Sequence, residues 1–188
     1  MRRLFTASMA VAATALIASA TPSVAAAQTA GPMVGEMAPD FTIDVVTKDA
    51  TTPKAFTLSK ARGQVVVLAF FPKARTSGCT MQMEGYRDKY AQLFNGGKDV
   101  TLIGISIDDA ATLASWAQEK GFPHHFGADA GGAVGTKYNA YNGKYDDRSL
   151  FVVGKDGKVA YVARPFRQMA EEAYTELGAM VSKAMSSK

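Results

Sequence analysis

A single thiol carries the chemistry open to this chain. Cys79 is its only cysteine. It closes the run Phe71-Pro72-Lys73-Ala74-Arg75-Thr76-Ser77-Gly78-Cys79, so Pro72, Thr76 and Cys79 stand as Pro-x-x-x-Thr-x-x-Cys. The run follows an apolar β-type segment and leads into a helical pattern. The sulfur is therefore expected on the first turn of a helix, at the carboxyl end of a buried strand. Free helix amides and the helix dipole favour an anion at that point, which stabilises the nucleophilic thiolate. A lone cysteine is otherwise a small buried hydrophobe without chemistry. The proline and threonine at fixed offsets set this one apart.

The elements that must position this run are legible on both sides of it. Residues 38–43 read as a turn and a short strand, residues 56–58 as a brief extended piece and residues 61–63 as a turn. Residues 64–71 are continuously apolar and β-branched, the pattern of a strand buried on both faces. A helix is expected from residue 80 to 93, closed by Asn95-Gly96-Gly97. A second buried strand spans 100–107, and Asp108-Asp109 offers an N-cap for a helix running to Lys120, ended by Gly121 and Pro123. Residues 128–135 are turn-rich, with a short helix over 133–141. Strands at 149–153 and 159–162 flank Gly154-Lys155-Asp156-Gly157, a hairpin signal, and a last helix covers about 168–185. Strands alternating with helices, then a hairpin and a helix, make a three-layer α/β order. There are no repeats and no second domain.

The first 27 residues read as a targeting segment. Arg2 and Arg3 form a charged region, residues 4–20 an alanine-rich apolar stretch, and Val24-Ala25-Ala26-Ala27 the small residues that a signal peptidase needs before Gln28. The stretch is too short and too rich in Ala, Thr and Ser for a stable membrane span. A small-residue linker over 28–36 and one domain over 37–188 follow. Removal of the segment lowers the formal charge from +4 to +2. The remaining basic residues are dispersed, without the aromatic–basic stripe of a nucleic-acid surface. The expected location is periplasmic or secreted, where one unpaired thiol is either buried or reactive.

Around Cys79 the chain resembles the peroxiredoxins. Phe70-Phe71-Pro72-Lys73, Gly78-Cys79-Thr80 and Gly85-Tyr86-Arg87-Asp88 are most similar to the bacterioferritin-comigratory (PrxQ) branch, and Arg148 in Asp147-Arg148-Ser149 fits the family's distant arginine. The resemblance runs from about residue 34 to 182. It implies a thioredoxin-like three-layer sandwich with a mixed central sheet, and a thiol peroxidase acting on hydrogen peroxide or organic hydroperoxides without metal, flavin or haem. It also implies a role for each motif residue. The Thr76 hydroxyl contacts peroxide and thiolate, the Gly78 and Cys79 amides donate, Arg148 faces the sulfur, and Pro72 screens it from water. Such donors are needed: complete ionisation of an ordinary thiol raises its reactivity at pH 7 only roughly thirtyfold, so the rest must come from groups that strengthen as charge moves onto the leaving oxygen.

Two departures from the branch matter. Glu84 stands where a second cysteine often lies, which removes local disulfide resolution. Gln82 stands where a glutamate is common, which alters how the loop and Arg148 are held. The oxidised cysteine would then be reduced by an external thiol or a thioredoxin-like protein, with the chain a monomer or homodimer. Each residue also has a plainer reading: Thr76 as a loop or capping hydroxyl, Arg148 as a partner of Asp146 or Asp147, Pro72 as strand punctuation. A thiol–disulfide oxidoreductase shares the fold but usually needs Cys-x-x-Cys, and a non-catalytic thioredoxin-fold binding protein is a third reading. His124-His125 lacks a third metal ligand and reads as packing or surface. Trp116 reads as packing against the sheet, Gly131-Gly132 as a turn, and Met81 and Met83 as core or rim.

Overall fold

The computed structural model describes residues 31–187. The expected targeting segment lies outside them, and the expected linker is described only from Gly31 onward. Seven strands form one mixed sheet: β1 (Thr42–Val46), β2 (Lys54–Thr57), β3 (Val65–Phe70), β4 (Val100–Ser106), β5 (His125–Ala128), β6 (Leu150–Val153) and β7 (Val159–Ala163). Their order is β2-β1-β5-β4-β3-β6-β7. β3, β4 and β5 run parallel, and every other pairing is antiparallel. This is the expected thioredoxin-like α/β fold.

β3 is central because its sequence suits burial on both faces. Val65, Val67, Ala69 and Phe71 enter one core, while Val66, Leu68 and Phe70 enter the other, as the two-residue period of a strand requires. The first core is covered by α1 (Ser77–Asp88), α2 (Tyr90–Phe94), α3 (Ala110–Lys120) and α5 (Glu171–Ser186). The second is closed by α4 (Ala133–Lys137), a 3-10 turn at Leu58–Ala61 and Tyr138. Trp116 packs as expected, its ring 5.8 Å from Phe71 and 5.4 Å from Phe126. Full burial of one such large apolar side chain stabilises the fold by roughly 1.5–3 kcal/mol.

Three local features depart from the sequence expectations. The helix after Cys79 begins at Ser77 and breaks at Lys89 into α1 and α2. A strand forms at His125–Ala128, where no strand was expected, because β4 and β1 flank it and supply its pairing. Gly127 tolerates that site because a Cβ there would lie 2.9 Å from Ile43 Cδ1. The helix expected over 133–141 stops at Lys137. Mid-helix Gly85 costs α1 about 0.5–1 kcal/mol of propensity, yet lets α5 approach: a Cβ there would sit 2.7 Å from the Tyr174 hydroxyl.

The carboxyl ends of the central strands gather three aspartates. Asp108 accepts from Ala74 N at 2.7 Å and Ser106 Oγ at 2.9 Å, while Asp129 accepts from the amides of Val134 and Gly135 at 3.1 and 2.8 Å. Asp146 is fully buried and neither of its oxygens has a hydrogen-bond partner. Burial, reinforced by the charges of Asp129, Asp147 and Asp108, pushes its carboxyl up to about 8. A carboxyl raised in this way contributes its full stability below pH 4. That stability is lost as pH rises through 8, at no more than about 1.4 kcal/mol per unit. Asp146→Asn keeps the shape without the charge. Denaturant melts from pH 4 to 9 should show its advantage over the parent growing with pH and levelling above 8. Parallel pH profiles for the two proteins would contradict this.

Candidate active site

The loop from Pro72 to Thr76 is tied down before the helix starts. Ala74 N is held by Asp108. Arg75 adopts φ 64°, a conformation costly for a residue with a side chain, and its guanidinium is anchored on α3 by Glu119 and by Ser115 Oγ at 3.0 Å. Thr76 is the N-cap residue of α1 with an extended backbone, but its side chain makes no capping bond. Its Oγ1 instead donates to Lys73 O at 2.9 Å. The oxygen's lone pairs stay available to accept from an incoming O–H. Pro72 is half-buried where β3 ends.

Cys79 is the third residue of α1 and is 1% exposed. The start of any helix leaves its first amides without intrahelical acceptors, and no side chain caps those of Ser77, Gly78 and Cys79. Arg148 arrives from a distant part of the chain, immediately before Ser149 and β6. Its Nη2 lies 3.6 Å from Cys79 Sγ, and its carbonyl accepts from Phe166 N at 2.7 Å. The guanidinium crosses close over Gly78: a Cβ there would meet Nη2 at 3.3 Å and Gln168 Nε2 at 3.5 Å. Glycine thus gives the arginine its approach to the sulfur.

The structure brings Cys79, Gly78 and Arg148 together and places Thr76 and Pro72 on the loop that delivers them. The plainer reading of Arg148 does not hold among the described residues. It makes no ion pair there, Asp146 is unpartnered, and Asp147 accepts from Asn142 Nδ2 at 3.2 Å. Its partner is Gln82, fully buried on α1, whose Oε1 accepts from Arg148 Nη1. Gln82 Nε2 donates to the Tyr86 hydroxyl at 2.9 Å, which fixes the amide so that its oxygen faces the arginine. Burial keeps the Tyr86 phenol neutral by pushing it far up. Gln82 therefore holds Arg148 without neutralising it, and the guanidinium charge is left to the sulfur. Sequence reasoning gave Tyr86 no role, although its place one turn after Gln82 on α1 could have suggested the contact, and it missed Gln168, which only the packing of the β7–α5 connection onto α1 brings here.

Other singled-out residues are structural. His124 is buried among Phe122, Phe126 and Tyr86 without a hydrogen-bond partner, and burial lowers it to about 3. It is a neutral packing residue. No group of three metal-ligating side chains occurs among the described residues. Met83 lies in the core and Met81 on the rim. Gly132 turns the chain into α4 with φ 70°.

A thioredoxin-like sheet with one cysteine at a helix start and an arginine over its sulfur defines a class, and the comparisons give it a family. Residues 34–162 match the AhpC/TSA family, and the chain belongs to it. It is 35% identical over 131 residues to "Peroxiredoxin Q, chloroplastic" of Triticum aestivum, covering 68% of this chain and 57% of that one. The chain thus spans little more than half the length of such plant relatives. "Putative peroxiredoxin bcp" of Coxiella burnetii is 30% identical over 137 residues, 69% of this chain and 86% of the relative. In structure, the chain is similar to a PrxQ cysteine-to-serine mutant of Xylella fastidiosa, with a TM-score of 0.71 at 18% identity, covering 83% of this chain and 99% of that one.

Gln82 is the residue whose replacement separates positioning from charge. Gln82→Leu leaves Arg148 Nη1 and the Tyr86 hydroxyl without their partner, and should slow alkylation of Cys79 by iodoacetamide roughly tenfold, the scale of a lost buried hydrogen bond to a charged group. Gln82→Glu keeps an acceptor but adds a carboxylate that competes with the sulfur for the guanidinium. It should slow alkylation at neutral pH as well. An alkylation rate for Gln82→Glu equal to that of the parent would show that Arg148 does not act on the thiol.

Proposed function

We propose that this protein is an exported thiol peroxidase that reduces hydrogen peroxide or organic hydroperoxides through Cys79. The observation that carries the reading is the 3.6 Å approach of Arg148 Nη2 to a sulfur buried at the start of α1. In the reaction, the thiolate attacks one peroxide oxygen. The O–O bond breaks, sulfur is oxidised to sulfenic acid, and the leaving oxygen takes a proton to become water or an alcohol. Arg148 and the α1 amides face the charge that develops, the arrangement that lowers such a barrier most. Thr76 accepts from the peroxide hydroxyl and so orients it. The peroxiredoxin names of the sequence relatives support the reading.

Reduction of the sulfenic acid falls to an external thiol, because the sequence holds no second cysteine. Sγ is buried, so the first turn of α1 must open to admit that thiol. The absence of a side-chain cap, a contact that contributes about 1 kcal/mol where present, makes opening easier. The disulfide-exchange reading has no partner thiol to use. Export rests on the pattern of residues 1–27: the protein isolated from cells should begin at Gln28 by N-terminal sequencing, and a cytoplasmic protein beginning at Met1 would contradict it.

Stopped-flow oxidation of the reduced protein tests the chemistry. Cys79→Ser should abolish peroxide consumption while leaving the fold intact. Arg148→Ala and Thr76→Val should each cost on the order of 10²-fold, the scale of one lost transition-state donor. Turnover should require an added thiol. Oxidation only over minutes at millimolar peroxide in the unaltered protein would favour a non-catalytic role.

A further inference from the structure

We propose that Asp146 is a positioning residue for Arg148: its buried carboxyl, while uncharged, seats the turn over residues 141–148 that delivers the guanidinium to Cys79, and its ionisation draws that turn away. This rests on the peroxidase reading and adds an alkaline limit to the same site.

The geometry couples the two residues closely. Asp146 is fully buried, and neither carboxyl oxygen has a hydrogen-bond partner. One of those oxygens lies against α4, where a Cβ on Gly135 would meet it at 2.2 Å. The turn around it is held by its own backbone. Asp146 bridges to Tyr141, Asn142 N donates to Tyr145 O at 3.2 Å, and Asp147 N donates to Ala140 O at 2.6 Å. Arg148 follows after one residue. Its carbonyl accepts from Phe166 N at 2.7 Å, and Ser149 N donates back to Asp147 O at 2.8 Å. A shift of Asp146 therefore reaches Arg148 through a short, bonded stretch of chain.

The charged groups that face the carboxyl are all acids: Asp129 from the turn after β5, Asp108 from the end of β4, and Asp147 beside it. Gly135 on α4 and Tyr141 beyond it bring no positive charge. The Arg148 guanidinium is engaged elsewhere, by Cys79 Sγ and Gln82 Oε1. A carboxylate with no donor and three like charges around it is destabilised in place. It must keep a proton or carry its turn outward to water. With the carboxyl raised to about 8, the proton is held through neutral pH and released above it. The outward shift then lengthens the 3.6 Å approach of Arg148 Nη2 to the sulfur.

The test is stopped-flow oxidation of the reduced full chain by hydrogen peroxide from pH 6 to 9.5, with circular dichroism at each pH. Each rate is referred to the same protein's rate at pH 6. Above pH 8 the unaltered protein should fall behind Asp146→Asn by about tenfold, part of the 10²-fold that one transition-state donor supplies. Asp146→Ser, a second uncharged variant, should follow Asp146→Asn. In an Arg148→Ala background the replacement of Asp146 should leave the profile unchanged, as expected when one residue acts through the other. Parallel profiles for the parent and both variants, or the same break without Arg148, overturn the assignment and leave the peroxidase intact. A break that tracks loss of the circular dichroism signal also overturns it, because the whole fold has then given way. No rapid reaction at any pH in any of these proteins overturns the peroxidase reading and this proposal with it.

Discussion

Everything at the site depends on holding one guanidinium against one buried sulfur. Charged groups are costly to bury unless each is matched, and Arg148 is half-buried and makes no ion pair among the described residues. Its contacts are Cys79 Sγ and the Gln82 amide oxygen. A neutral amide satisfies hydrogen-bonding geometry while leaving the positive charge unshared. The fold serves that pairing at several points. Gly78 clears the approach, Tyr86 orients the amide, and the Phe166 amide holds the Arg148 backbone.

The scaffold around this pair is rigid where precision matters and plain where motion is needed. Strand β3 is buried on both faces, and the loop that follows is fastened to Asp108, Ser115 and Glu119. By contrast, α1 starts without a side-chain cap and ends early at Lys89. A site that binds peroxide in a fixed geometry, yet must later expose its sulfur to another thiol, fits that division: the loop is over-determined and the first helical turn is not.

The acidic layer at the same end of the sheet carries a cost. Asp108 and Asp129 organise loops through backbone amides, while Asp146 fills space against Gly135, where a Cβ would meet its oxygen at 2.2 Å. An unpartnered buried carboxyl is destabilising once ionised. It lies two residues before Arg148, so the segment that delivers the guanidinium depends on pH more than the rest of the core does.

The sequence by itself determined the reactive group, its immediate loop and the local elements. Periodicity marked β3, β4, α3, α5 and the β6–β7 hairpin, and the strand pattern before Cys79 with the helical pattern after it placed the sulfur in the first turn of a helix, because these patterns arise from contacts near in the chain. Only the tertiary structure decided the rest. β5 exists because two neighbouring strands offer it partners, despite a weak four-residue pattern. Arg148 reaches Cys79 across 69 positions because β6 pairs beside β3. Gln82 meets it because one face of α1 turns inward, a choice set by the packing of α5 over Gly85. Long-range pairing and burial set what local sequence cannot, so the nucleophile was legible from its own neighbourhood, Arg148 and Gln82 entered only through the family resemblance, and their contacts with Sγ and with each other came from the fold.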